Sequence, residues 1–183
     1  AQRADVPIIL VRPPSNLADS SPFKSEHRSD ITPQELSDWQ AAIGAAKSSL
    51  KTFQAAAVDS FKEAISIDES YAETHFEFGR LLELLGDFET ARDEFILARE
   101  HDICPLRILR PMEQELDRVA ARNVVPLLDA HNLLEKQTRQ GILDSSMLVD
   151  HVHPSFDGHQ IIAMALVEKL REVSLVQPQT DWQ

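Results

Sequence analysis

An unbroken apolar run, Val6-Pro7-Ile8-Ile9-Leu10-Val11, stops at Pro13-Pro14. A short run rich in Ile and Val predicts a strand buried on both faces over residues 6–12. Residues 13–34 carry Pro, Ser, Asn and Asp without a period and read as a loop. Thr32-Pro33-Gln34-Glu35 then offers an N-cap, a proline at the first helical position and a glutamate at the third, which is a helix start. From 35 to about 103 the apolar positions keep helical spacing throughout. Another helix is expected over 111–121, opened by Pro111, with Met112, Leu116, Val119 and Ala120 at helical spacing. Asn123-Val124-Val125-Pro126-Leu127-Leu128-Asp129 reads as a second short buried strand, 130–138 as a helix, and Gly141 to Val149 as a loop of weak apolar character. From Gly158 to about Val173 an amphipathic helix is expected, with Ile161, Ile162, Ala165, Leu166 and Leu170 on one face, followed by a loose tail from Ser174.

Two short buried strands joined by helices predict a parallel pair with a right-handed crossover, the long helical stretch being an insertion in that crossover. The fold class is therefore a helix-rich α/β arrangement. Two strands alone make a poor sheet, so the pattern implies partner strands that this chain does not contain.

Within the helical stretch the sequence repeats. Ala57 recurs as Ala91, Phe61 as Phe95, Ala64 as Ala98 and Asp68 as Asp102, each 34 residues on. In the better copy, residues 72–105, small Gly79 and Ala91 let two helices approach, Phe95 fills the space above them, and Gly86-Asp87-Phe88 makes the turn. Over 72–105 the chain resembles the tetratricopeptide repeat, whose period is 34. It departs at the end, where Ile103 stands at the usual proline position; the upstream copy, 38–71, matches only in its second half. One and a half to two repeats fall short of the three that a free-standing solenoid needs, so they must pack on something else.

Charge narrows the function. Lys and Arg total 18 against 30 Asp and Glu, a net charge of −12, with no basic cluster; this disfavours nucleic acid and anionic membrane surfaces as partners. No apolar run approaches the ~20 residues of a membrane span. A single cysteine, Cys104, precludes an intrachain disulfide framework and an all-cysteine metal site. No secretory signal opens the chain, and the compartment stays open.

The chemistry concentrates in Asp150-His151-Val152-His153-Pro154-Ser155-Phe156-Asp157-Gly158-His159. A histidine that activates a hydroxyl needs one ring nitrogen free for substrate and an acceptor on the other to fix its tautomer. Asp150, three residues before His153, can reach that second nitrogen across a turn, and Asp157 or Ser155 can cap the following helix.

Asp150-x-x-His153-Pro154, then Gly158 and a helix with Ile161, Ile162 and Ala163, resembles the C-terminal signature of the SGNH (GDSL-type) esterase and acylhydrolase superfamily. VPIILVRPP looks like that family's penultimate central strand and NVVPLLDA like its last. More narrowly, PPSNLADSSPFKSEH and DHVHPSFDGH resemble bacterial SGNH-type proteins that carry tetratricopeptide repeats inside the hydrolase domain. The resemblance implies a flavodoxin-like three-layer fold, His153 as general base, Asp150 as its orienting acid, no cofactor and no metal. The implied substrate is an ester, an acyl or acetyl group on a carbohydrate or lipid, with a protein partner for the repeats. The boundaries would be 1–34 and 105–183 for the hydrolase-like part and 35–104 for the repeats. The family's Gly-Asp-Ser nucleophile and Gly-x-Asn oxyanion motif are missing. Ala18-Asp19-Ser20 imitates the first without its glycine, and Asn16 imitates the oxyanion asparagine without the glycine before it. The expectation is that the first half of the hydrolase domain lies before Ala1 and that this chain alone is inactive.

Blander readings stand beside this one. The Asp150–His153 pair can simply brace a loop, and the whole chain can be a non-enzymatic interaction module. A metal reading would use His151, His153, His159 and Asp157, although no supporting helical His or Cys set accompanies them. His75, His101 and His131 are expected at the surface or partly packed, His27 has no assigned role, and Arg107 and Arg110 are expected to serve the helix dipole at the end of the repeat helix rather than to bind an anionic substrate group. Trp39 and Trp182 read as packing residues, and Glu73, Glu77, Glu83 and Glu89 as a solvated acidic face.

Overall fold

The computed structural model describes residues 6–175. The chain forms two units, one comprising the chain up to Asn16 and from Ile108 onward, the other Leu17–Arg107. The described residues form a helix-rich α/β structure with seven helices and two short strands.

In the first unit, β1 (Leu10–Arg12) pairs in parallel with β2 (Leu127–Asp129), Leu10 opposite Leu127 and Arg12 opposite Asp129. Both strands are shorter than the apolar runs imply, for a local reason. Helix α5 (Arg110–Asn123) runs through Asn123 and ends with Val124 in the left-handed region at φ 53°, its N–H turned back to Ala120 and Ala121. Pro126, lacking an N–H, follows two residues later and only accepts, from the Leu10 N–H at 2.9 Å. The ladder therefore cannot extend upstream of Leu127, and Val6–Ile9 have no strand to pair with in β2. Arg12 pairs with Asp129 on β2 and with Asp117 on α5, which ties that helix to β1.

Helix α6 (Ala130–Glu135) starts under an Asp129 cap and stops after six residues, so the helix expected over 130–138 is cut short by turns. Helix α7 (Phe156–Glu172) begins at its Ser155 cap. The core of this unit is Leu134, Leu143 and Leu148, with Met147, Ile161 and Ile162 packed against it. The segment 141–149 is irregular as expected, yet Ile142, Leu143 and Leu148 are buried to 1% exposure or less. Leu143 and Leu148 belong to the core on which Ile161 and Ile162 of α7 pack, while Val149 is exposed. The face of Ile161, Ile162, Ala165, Leu166 and Leu170 is only half-buried.

The second unit contains α1 (Pro33–Ser49), α2 (Gln54–Ile67), α3 (Ala72–Leu85) and α4 (Phe88–Glu100). Helix α1 packs on α2, α2 on α3 and α3 on α4. Thr32 and Glu35 form the expected capping box, each side chain meeting the other's backbone N–H. Gly86 supplies the left-handed residue, φ 83°, that ends α3, and Asp87 caps α4. The residues repeated at an interval of 34 occupy matching places. Ala57, Phe61 and Ala64 on α2, and Ala91, Phe95 and Ala98 on α4, are all buried. Phe61 stacks on Phe78, and Phe95 tilts against Phe76 at 5.5 Å between ring centres.

Asp68 and Asp102 complete the correspondence. Asp102 accepts the N–H groups of Phe23, Lys24 and Cys104. Asp68 accepts those of Arg28 and Ser70 and meets the His27 Nδ1 at 2.7 Å. Equivalent aspartates thus hold two successive stretches of the segment 23–28 against the ends of α2 and α4. Burial by itself raises the Asp68 pKa, but its bonds to Ser70, His27 and Arg28 outweigh burial and hold it below the ordinary range.

His75 is not at the surface. It is 2% exposed, with Nδ1 2.6 Å from Glu94 Oε2 and Nε2 2.7 Å from the Glu69 carbonyl. Both neighbours are acceptors, so the doubly protonated imidazolium satisfies both. Burial lowers its pKa, but the bonds to Glu94 and Glu69 prevail and leave it raised. His101 stacks on His75 and is lowered, by burial and then by that charge. A raised native pKa means that protonation favours the fold. The contribution of His75 is present below about pH 6.5 and fades as pH rises through the native value. Urea unfolding at about pH 5.5 and 8.5 should show a stability difference between the wild type and His75→Gln that is larger at the lower pH; an equal difference at both would contradict the assignment.

Candidate functional site: the aspartate–histidine turn

Leu148 and Pro154 form a single antiparallel bridge, and the Val149 N–H donates to the His153 carbonyl at 2.9 Å, closing a turn with Asp150 at its head. One oxygen of Asp150 accepts the Val152 and His153 N–H groups at 2.9 and 2.8 Å. The other lies 2.7 Å from His153 Nδ1. The backbone N–H groups of His153 and Val152, and then the imidazole, hold the Asp150 carboxyl far below the usual carboxylate range. Asp150 is therefore an acceptor at any pH near neutrality. In the neutral imidazole this places the proton on Nδ1 and leaves Nε2 a free base. The His153 side chain is 71% exposed, and no described residue bonds to its Nε2.

The turn is fastened at both ends. The Ser155 N–H donates to the Met147 carbonyl at 2.8 Å while its hydroxyl caps α7 through the Gly158 N–H. Ser155, not Asp157, is the cap. Gly158 sits so close that a Cβ there would lie 2.6 Å from the Met147 carbonyl oxygen.

A third fastening comes from the end of β1. Asn16, 1% exposed, donates its backbone N–H to the His151 carbonyl at 3.0 Å and its amide nitrogen to Ser145 Oγ and the Asp150 carbonyl, each at 3.3 Å. Its neighbour Ser15 donates its N–H to His131 Nδ1 at 3.1 Å, and His131 Nε2 faces Glu135 at 3.5 Å. His131 is therefore packed between the β1 exit and α6, 9% exposed. Asn16 imitates an oxyanion asparagine in sequence, but its amide nitrogen braces the 145–151 segment. The bracing role has one sequence signal, a polar Ser15-Asn16 pair following the two prolines that end the strand.

The other candidate residues lie elsewhere. Ser20 belongs to the other unit, where its carbonyl accepts from Arg107 at 2.7 Å. Arg107 does not serve a helix end: it is buried, its guanidinium lies 3.8 Å from Asp102, and burial pulls its pKa down to about 10. Arg110 opens α5, the end of a helix where a cation is disfavoured, so the expected dipole role fails there too. The rings of His151 and His153 meet edge-on with centres 6.5 Å apart, and among the described residues no three His, Cys, Asp or Glu side chains converge as metal ligands would. No described helix is long and apolar enough to cross a membrane. Trp182 lies outside the described residues.

Compared with known protein families, curated proteins and solved structures, the chain matches none.

Proposed function

We propose that the unit carrying β1, β2 and α7 is the acid–base portion of a serine ester hydrolase of SGNH type. The supporting observation is the 2.7 Å contact of His153 Nδ1 with an Asp150 carboxylate already held by two backbone N–H groups, while the opposite ring nitrogen is open. In this reading His153 Nε2 takes the proton of a serine hydroxyl as its oxygen attacks the acyl carbonyl. The imidazolium returns that proton to the departing alkoxide, leaving an acyl-serine, and a water activated in the same way releases the acid. Asp150 keeps the ring oriented and stabilises its charge. The attacking serine and the oxyanion donors come from a Gly-Asp-Ser-like segment of a longer form, and the substrate is an ester such as an acylated carbohydrate or lipid. The helical unit, with its tetratricopeptide-like pairs, binds a partner. A non-enzymatic interaction module is the second reading, favoured by a recess of the helical unit lined by Trp39, Ile43 and Tyr71.

A fluorophosphonate serine-hydrolase probe separates the two. A longer natural form should label, with His153→Ala slowing labelling by at least ~100-fold, the lower range for a general base. This chain alone should not label. Labelling of the long form that is indifferent to His153→Ala would overturn the reading, and labelling of this chain that is lost in Ser20→Ala would make Ser20 the nucleophile.

A further inference from the structure

The His153 side chain is 71% exposed, so packing orients its ring only weakly and the Asp150 carboxylate carries that task. The carboxylate in turn stands where the backbone puts it. Two peptide planes separate the α-carbons of Asp150 and Val152, and each is rigid. The first contains the Asp150 carbonyl. The second contains the His151 carbonyl and the Val152 N–H. Rotation of either plane would carry the Val152 N–H away from Asp150 Oδ1, 2.9 Å distant, and let the carboxylate swing off the ring.

Asn16 grips both planes. Its amide nitrogen donates to the Asp150 carbonyl at 3.3 Å and its backbone N–H to the His151 carbonyl at 3.0 Å. A continuous run of hydrogen bonds results. It passes from the Asn16 N–H through the His151–Val152 peptide to Asp150 Oδ1, and from Asp150 Oδ2 to His153 Nδ1. A peptide that accepts on its carbonyl donates more strongly from its N–H, so the run favours the charged form of Asp150. Asn16 is itself held in place. It is 1% exposed, and it follows β1 by way of Pro13 and Pro14, whose rings fix φ. The preceding Ser15 N–H is bonded to His131 Nδ1 at 3.1 Å.

We propose that Asn16 is a positioning residue for His153: by fixing the two peptide planes behind Asp150 it keeps the carboxylate on Nδ1 and so keeps Nε2 the open base. It acts through Asp150. A catalytic side chain must be held within about 0.5 Å of its productive place, and a buried residue that locks its hydrogen-bond partner supplies that support. The amide bond to the Asp150 carbonyl is the part a substitution can remove, because the backbone bond to His151 survives it. Ser145 Oγ accepts from the same amide nitrogen at 3.3 Å and provides the comparison. The inference rests on His153 serving as the general base proposed above, but the state of its ring can be read without any activity.

The test reads the ring 15N shifts of His153 in this chain at the alkaline end of a titration, where the ring is neutral; the signals are identified by their loss in His153→Gln. They give the ratio of the Nδ1–H to the Nε2–H tautomer. In the wild type the Nδ1–H form should dominate. In Asn16→Ala the ratio should fall at least ~3-fold, the equivalent of one modest hydrogen bond. Methyl resonances of Leu134, Leu143 and Leu148 check that the core around the turn is intact. Asn16→Asp keeps the shape of the side chain, replaces the donor by an oxygen, and should lower the ratio as well; it decides the matter where the alanine variant disturbs the core. Ser145→Ala leaves the Asp150 carbonyl bonded and should lower the ratio less than Asn16→Ala does. A wild type dominated by Nε2–H, a ratio indifferent to both Asn16 variants, or an equal fall in Ser145→Ala overturns the proposal. A longer form should also label with fluorophosphonate at least ~3-fold more slowly in Asn16→Ala. Labelling indifferent to His153→Ala, with the ratio falling as stated, sinks the esterase reading alone. A ratio indifferent to Asn16, with labelling still dependent on His153, sinks only this inference.

Discussion

Phe95→Ala is expected to cost the helical unit about 3–5 kcal/mol, the range for truncating a fully buried phenylalanine. Phe95 has no exposed surface, tilts against Phe76, and lies so near Gly79 that a Cβ there would sit 2.9 Å from two of its ring carbons and 3.2 Å from the Ala91 carbonyl. The same geometry predicts a coupling. Gly79→Ala alone should destabilise by roughly 1–3 kcal/mol, because a packed ring and a helix backbone cannot both yield. In the Phe95→Ala background the ring is gone, and that cost should shrink or reverse, since alanine is the better helix former by up to about 1 kcal/mol. Denaturant unfolding of the four members of the cycle measures the coupling. A Phe95→Ala loss below about 1 kcal/mol, or strict additivity with Gly79→Ala, would contradict the packing.

Gly158→Ala should act directly on the candidate site. The added methyl meets the Met147 carbonyl at 2.6 Å and the Pro154 Cβ at 3.1 Å, a backbone atom and a ring that have little freedom to move. The expected cost is again about 1–3 kcal/mol. Met147 and Pro154 flank the turn that presents Asp150 and His153, and Ser155 bonds to the same Met147 carbonyl, so α7 can move away only by loosening that turn. The Val152 and His153 amides, protected by Asp150, should then exchange with solvent faster, while amides in the helical unit should not. Unchanged exchange at both, with stability within about 0.5 kcal/mol of wild type, would show that the close approach is tolerated.

Much of this was legible because it is local. The Thr32–Glu35 box, the Gly86 turn and the Ser155 cap are specified within a few residues by backbone groups that need a partner. The 34-residue echo from Ala57 to Ala98 placed small and large residues at the closest helix contacts. Where the reading misplaced residues, a neighbouring element or turn competed for them. Val124, strand-like by composition, became the cap of α5. His75, expected at the surface or partly packed, is fully buried because Glu69 in the preceding turn and Glu94 on another helix engage both its ring nitrogens. Glu73 and Glu77 read as solvated but are half-buried, because nothing in α3 announces the recess that they line together with Trp39 and Tyr71.

The sequence by itself determined the Asp150–His153 contact: an aspartate three residues before a histidine, with a proline after it, reaches the Val152 and His153 amides and the ring within one turn. The tertiary structure alone decided the long-range brace on that turn. Asn16 reaches the Asp150 carbonyl across 134 positions, and it arrives there only because β1 lies beside β2 and ends facing the loop. Local spacing sets side-chain reach, but a buried donor finds its acceptor only after the strands have paired.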